Sequence, residues 1–265
     1  MVSLRHFPSA QDRHSRALRA GLAALQLLAQ SGRTLGITEI ARELGLSKSS
    51  AHDLLASLGD LGFVDKNPDT RRYSVGAAIF DFLGGVAASF GKNAQVHLLL
   101  RQRAVELGLT LYIGTLCRDR SYVTAASGHY GDTGVIGHNC PWYASSCGRA
   151  VLARLSEDVW EKRFPTDDGE RPTSRTVLEH ERLRTLLRAS RESGVAWNEG
   201  ESDLDLISVA APIFLPGRTP DRAVALVLTF EEMAARDRAD LEREVRRAAA
   251  DLARALHEPL PSVRG

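Results

Sequence analysis

An α+β fold in two parts is what this 265-residue sequence predicts, and three observations carry the expectation. Residues 38–63, TEIARELGLSKSSAHDLLASLGDLGF, have the spacing of two short helices joined through a Gly-Leu turn. Directly after them, FVDKNPDTRRYSV alternates as two short strands about a turn-rich tip. From Leu109 onward, β-rich runs come in pairs with helices between and around them, the pattern of an antiparallel sheet with helical cover. The expected division is a winged helix-turn-helix over 1–76, a helical linker over 77–92 and an antiparallel-sheet domain over 93–258.

In chain order, Leu18, Leu22, Leu25 and Leu28 recur at helical spacing and predict a long first helix ending near Ser31-Gly32. It would supply the third wall of a small core. Ile40, Ala41 and Leu44 give the next helix an apolar face, Gly45 can take the positive φ that ends it, and Leu46 fills the turn. Ser47 is the expected N-cap of the following helix, whose buried side reads Ala51, Leu54, Leu55, Leu58 and Leu61. Lys48, Ser49, Ser50, His52 and Asp53 open its other face, where the first turn of a recognition helix reaches base edges in a major groove. A small helical hairpin capped by Ser and Gly would share these features. The wing is what argues against so plain a reading. Its tip, Asn67-Pro68-Asp69-Thr70, is flanked by Lys66, Arg71 and Arg72, cations suited to phosphates.

VGAAIFDFLGGVAASF then reads as a helix with a kink or break at Gly84-Gly85, a natural lever between the two parts, and Ala94 to Leu107 as another helix. LTLYIGTLC and SYVTAAS make a hairpin across Arg118-Asp119-Arg120, with a third strand expected over Thr133 to Ile136. Helices follow at Ser146 to Leu155 and at Glu179 to Ser193, the latter ended by Gly194. SVAAPIF and AVALVLTF form a second strand pair, and a closing helix runs from about Asp237 to Leu256.

Composition is that of an ordinary globular protein, 43% apolar and 25% charged. No apolar run approaches the roughly 18 residues of a membrane span, and the first residues lack a signal-peptide core, so a cytoplasmic protein without a membrane partner is expected. Three cysteines, Cys117, Cys140 and Cys147, make no disulfide framework. A net charge of +1 says little, although residues 1–75 hold ten Lys/Arg against seven Asp/Glu. The position of Lys48, Lys66, Arg71 and Arg72 on the two elements that would face a polyanion carries more weight.

Catalytic signatures are thin. GxSxG, P-loop and HExxH patterns are absent, and Ser146 is followed at the third position by Arg149 rather than a lysine. Cys147 at a helix start with His138 nine residues upstream leaves a Cys/His hydrolase conceivable. His129, His138, Cys140 and Cys147 match no standard zinc spacing. A protein with no catalytic residues, no metal and no cofactor is expected.

The order of the first helix, GLSKSSAHDLLASLGDLGFV, a wing ending Tyr73-Ser74-Val75-Gly76, CPWYASSCGRAVLARL and SGVAWNEGESDLDLISVAAPIF closely resembles the IclR family of bacterial transcriptional regulators, over about Ala17 to Leu256. The resemblance implies a C-terminal effector-binding domain related to GAF and PAS folds, assembly as a homodimer or dimer of dimers, and double-stranded operator DNA and a small-molecule effector as partners. It implies repression or activation modulated by that effector, or DNA binding alone with a vestigial pocket. Effector-contacting positions are implied at Ser146, Cys147, Asn198, Ser208 and Thr229. Asn198 stands where several relatives carry an acid, Ser208 where many carry cysteine, and Val227 replaces a hydroxyl, so the implied site is less charged and more apolar. Ser208 and Thr229 also suit ordinary strand positions satisfied by backbone. Asp205 replaces a family glycine. Asp53 and Ala20 replace commonly basic residues, and Asp53 would then accept from a cytosine amino group or pair with a cation such as Arg16 or Arg19.

Overall fold

The computed structural model describes residues 13–81, 94–129 and 135–257. The chain divides into two compact units, Met1–Gly91 and Lys92–Gly265.

In the first unit α1 (Arg13–Ser31), α2 (Ile37–Leu44) and α3 (Lys48–Asp60) precede a hairpin of β1 (Val64–Lys66) and β2 (Tyr73–Val75), in register Val64↔Val75 and Lys66↔Tyr73. The signals that end and start these helices act as the sequence implies. Gly45 closes α2 at φ 64°, and the Ser47 hydroxyl caps α3 by accepting from Ser50 N at 3.1 Å. Ala24, Leu28, Leu35, Ile40, Leu55, Val64 and Tyr73 form the core. Leu18, Leu22 and Leu61 do not join it. They are 66%, 55% and 66% exposed, because the apolar face of α1 and the end of α3 are wider than so small a core can cover. Residues 78–81 form a helical turn. The rest of the expected linker, including the Gly84-Gly85 kink, lies outside the described residues.

The second unit is a six-stranded antiparallel sheet in the order β5-β4-β3-β8-β7-β6. Its elements in chain order are α4 (Ala94–Leu107), β3 (Thr110–Cys117), β4 (Arg120–Ser127), β5 (Asn139–Pro141), α5 (Ser146–Leu152), α6 (Glu157–Glu161) and α7 (His180–Ser193). After these come β6 (Ala196–Glu199), β7 (Leu206–Pro212), β8 (Arg222–Thr229), α8 (Phe230–Ala234) and α9 (Arg238–His257). One sheet face, with Leu111, Ile113, Val209, Val224, Leu226 and Leu228, packs against α4 and α9 in the largest core. The other face is covered by α5, whose Cys147, Ala150 and Val151 lie on Ala196, Ala210, Ala223, Ala225 and Val227. Strand alternation sorts the two sets.

Three expectations change. The strand beside β4 is Asn139–Pro141; Val135 and Ile136 are not in a strand, and Thr133 lies outside the described residues. The helix begun at Ser146 ends at Leu152 rather than Leu155. β6, which the sequence did not announce, is the sixth strand, on the sheet edge beside β7.

A close approach fixes α5 on the sheet. The β3–β4 register shifts between Ile113 and Gly114, and a Cβ built at Gly114 would stand 2.5 Å from Cys147 Cβ and 2.8 Å from its sulfur. Gly114→Ala should therefore lower unfolding free energy by about 1–3 kcal/mol through overpacking, read as an earlier urea midpoint for the C-terminal unit, while an unchanged midpoint would show that the helix yields freely.

Candidate nucleic-acid face and effector site

The first turn of α3 stands clear of the core, with Lys48, Ser49, Ser50, His52 and Asp53 all exposed. Among these the serines are partly occupied. Ser47 Oγ donates to Ser50 Oγ at 2.8 Å and lies 3.0 Å from Ser49 Oγ, so the hydroxyls form a cluster at the helix start. Lys48 and His52 are exposed side chains beside that cluster. Asp53 has His52 as a neighbour, Oδ1 to Nδ1 3.6 Å.

At the wing the three expected cations part company. Asn67 Oδ1 accepts from the backbone N–H of Asp69 at 3.0 Å and Thr70 at 2.8 Å, which builds the tip, and Arg71 sits exposed at φ 53°. Lys66 Nζ lies 5.5 Å from the Tyr73 ring centroid. Arg72 points the other way. It donates to Thr34 O at 2.8 Å, Thr34 Oγ1 at 3.1 Å and Glu39 Oε2 at 2.9 Å, tying the wing to the start of α2. Glu39 is the hub of this knot and was not among the expected site residues. It also accepts from Gly36 N at 2.7 Å and from Arg33 at 3.1 Å, and these hydrogen bonds, the Gly36 amide first, hold its carboxyl below the usual range. Gly36 followed three residues later by Glu39 is a capping-box spacing, the one signal in the sequence that could have found it.

The five implied effector residues gather around the α5 face of the sheet, at different depths. β6, β7 and β8 align Asn198 with Ser208 and Ser208 with Val227, and β3 continues the row with Thr110. Ser146, the first residue of α5, hangs over that row, its Oγ 2.8 Å from Ser208 Oγ. Asn198 is buried and fully engaged, donating to Ala144 O and to Ser202 Oγ at 3.3 Å while its Oδ1 accepts from Glu201 N at 3.0 Å. Thr229 caps α8, its Oγ1 accepting from Glu232 N at 3.1 Å while Glu232 returns to Thr229 N at 2.7 Å. Its hydroxyl therefore has a structural task. Asp205 N donates to Asp203 Oδ1 at 3.0 Å, so the aspartate standing for a family glycine closes an Asx turn.

Sequence reasoning missed the strongest polar feature here. Arg149, 1% exposed, forms a two-pronged pair with Glu201, and Thr176 Oγ1 donates to Glu201 O at 2.8 Å. The turn after β6 is thereby fastened to α5. Burial pushes the Glu201 carboxyl up against the pull of Arg149.

Cys147 faces the sheet, its thiol donating to Ala223 O at 3.6 Å. Burial pushes it up to about 12, and Cys140 up to about 11. A nucleophilic cysteine needs the opposite shift. Among the described residues no group of His, Cys, Asp and Glu is placed to hold a metal. Iodoacetamide at about pH 8 should alkylate exposed Cys117 in the native protein and reach Cys147 only after denaturation; mass-spectrometric detection of native Cys147 modification would reopen the hydrolase.

Two family models match the chain, an IclR helix-turn-helix domain over residues 17–68 and a bacterial transcriptional regulator IclR C-terminal domain over residues 94–254. The chain is 29% identical over 217 residues to the transcriptional repressor IclR of Escherichia coli, covering 79% of this chain and 78% of that protein. It is similar to the crystal structure of a transcriptional regulator from Alicyclobacillus acidocaldarius, at 25% identity and TM-score 0.75, over 91% of this chain and 98% of that one. An IclR homologue from Microbacterium hydrocarbonoxydans, solved with 4-hydroxybenzoate, shares the fold at 18% identity and TM-score 0.74, with 91% of this chain and 98% of the other covered.

Proposed function

The chain belongs to the IclR family of bacterial DNA-binding transcriptional regulators, and we propose that it binds a pseudo-palindromic operator in the cytoplasm and changes its DNA affinity when a small metabolite occupies the C-terminal domain. The exposed first turn of α3, capped by Ser47 and presenting Lys48 and His52, carries the DNA half of this reading. Lys48, Ser49, Ser50 and His52 read bases, Lys66 and Arg71 hold phosphates, and Arg72 contributes by keeping the wing in place. The exposed Leu18 and Leu22 on α1 suit a second copy of the chain. A homodimer or dimer of dimers then meets half-sites about 34 Å apart, or multiples of that spacing.

The effector half rests on the row Thr110, Val227, Ser208 and Asn198 with Ser146 above it. A small ligand with a hydroxyl or carbonyl takes over the Ser146–Ser208 hydrogen bond there. It shifts the regulator only by binding its DNA-competent and DNA-incompetent states unequally. A second reading, DNA binding and oligomerisation with a vestigial pocket, is favoured by one observation: Ser146, Ser208, Asn198 and Thr229 already satisfy one another or the backbone.

Lys48→Ala with His52→Ala should weaken operator binding and blur its sequence preference in gel shifts. Arg71→Ala should reduce the slope of log affinity against log salt by about one while leaving specificity intact. Arg72→Ala should instead lower the melting temperature of the N-terminal unit. Equal salt slopes for Arg71→Ala and wild type would remove Arg71 from the backbone contacts. For the effector, Ser208→Trp should abolish the thermal shift given by any active metabolite and leave DNA binding in place; failure of a broad metabolite screen on wild type would select the vestigial pocket.

A further inference from the structure

At the end of the sheet where β6 begins and β7 finishes, the C-terminus of α7, the middle of α9 and the segment after α5 enclose a cleft of about 230 Å³. Arg154, Ala211, Pro212, Phe214, Arg246 and Ala249 line it. It shares no residue with the effector positions above. Nothing in the DNA reading uses it either.

The cleft holds a cation without a counter-charge. Arg154 gives one N–H to Ser190 O at 2.8 Å, its Nε is buried with no acceptor, and among the described residues no carboxylate pairs with it. Burial first, then repulsion from Arg191, pull its pKa below the ordinary arginine value. Arg246 is already neutralised, by Glu242 at 2.9 Å. Opposite the unpaired guanidinium lies Phe214, 54% exposed, its ring centroid 6.0 Å from Arg154 Cζ. The cleft thus joins a half-buried guanidinium that has no carboxylate partner to an aromatic ring that faces it and is still more than half open to solvent.

We propose that this cleft is a second small-molecule site that takes a monocarboxylic acid with an apolar body, the carboxylate forked on Arg154 and the body lying on Phe214 and Ala249. One unpaired cation calls for one negative charge, and the fork geometry of guanidinium suits a carboxylate. The volume lies below the roughly 300–1,000 Å³ of drug-sized sites, which selects a single-ring or short-chain acid over a nucleotide. Its occupancy is independent of the Ser146–Ser208 site, so either can exist without the other.

Benzoate is the probe, followed by saturation-transfer NMR on the full-length protein. Wild type should bind benzoate and not benzyl alcohol, which has the ring without the charge. Arg154→Gln should weaken benzoate by about tenfold or more, Arg154→Lys should fall between because it keeps the charge and loses the fork, and Phe214→Ala should weaken it in the same direction. Ser208→Trp should leave benzoate affinity unchanged, with circular dichroism confirming that each variant is folded. No transfer to benzoate in wild type would overturn the assignment. So would wild-type affinity in Arg154→Lys and Phe214→Ala, or loss of benzoate in Ser208→Trp, which would put the acid between α5 and β7 instead.

Discussion

The C-terminal unit depends on one close approach, that of α5 to the sheet. All seven residues of α5 are buried, which is unusual for a helix carrying a serine, a cysteine and an arginine. The bare backbone of Gly114 lets Cys147 sit on β3, and the alanines of β6, β7 and β8 keep the rest of that face low. Only then does Ser146 come within hydrogen-bond reach of Ser208, and Arg149 within reach of Glu201. The polar row of the candidate effector site is thus a result of packing on the same face. Trp142, before α5, Trp160 of α6, and Leu183 and Leu187 of α7 form a second core with Leu152 at the end of α5.

The N-terminal unit solves a different problem, presenting a short helix and a loop tip from a core of few residues. Its answer is polar. Glu39 gathers Gly36, Arg33 and Arg72, so that the beginning of α2 and the second wing strand share one carboxylate. The isolated bridge between Leu35 and Tyr73 runs alongside, with backbone hydrogen bonds of 2.9 and 2.8 Å. Wing position is therefore set by groups that need not touch DNA. Being exposed, these ion pairs add little stability each, and their value lies in geometry.

Most of the fold was legible in the sequence because local signals and hydrophobic period agree. Gly45 and Ser47 punctuate α2 and α3, and Gly194 ends α7, as their chemistry requires. Where reading failed, the cause is specific. Period 3.6 marks Leu18 and Leu22 as an apolar face and cannot tell a face meant for the core from one left outside it. β5 is three residues ending in Pro141, tolerable on a sheet edge but without an alternating signature, so apolar Val135 and Ile136 drew the strand assignment instead. β6 carries the mixed sequence Ala-Trp-Asn-Glu for a similar reason. Arg71 and Arg72 are identical in composition, yet the positive φ at Arg71 turns the first toward solvent and leaves the second for Glu39. In the effector region Ser146 and Cys147 are neighbours in sequence, but successive helical positions diverge, and only the serine overlooks the polar row.

The Arg149–Glu201 pair narrows the routes by which this chain can drift. Losing either partner alone strands a charge in a dry interior, an outcome that costs roughly 3–5 kcal/mol and would unseat the turn after β6 along with it. Replacement of both by well-packed apolar side chains is far less damaging. The two positions are therefore coupled energetically although they stand fifty-two residues apart in sequence. A library built to retune ligand preference should vary them jointly or leave both alone.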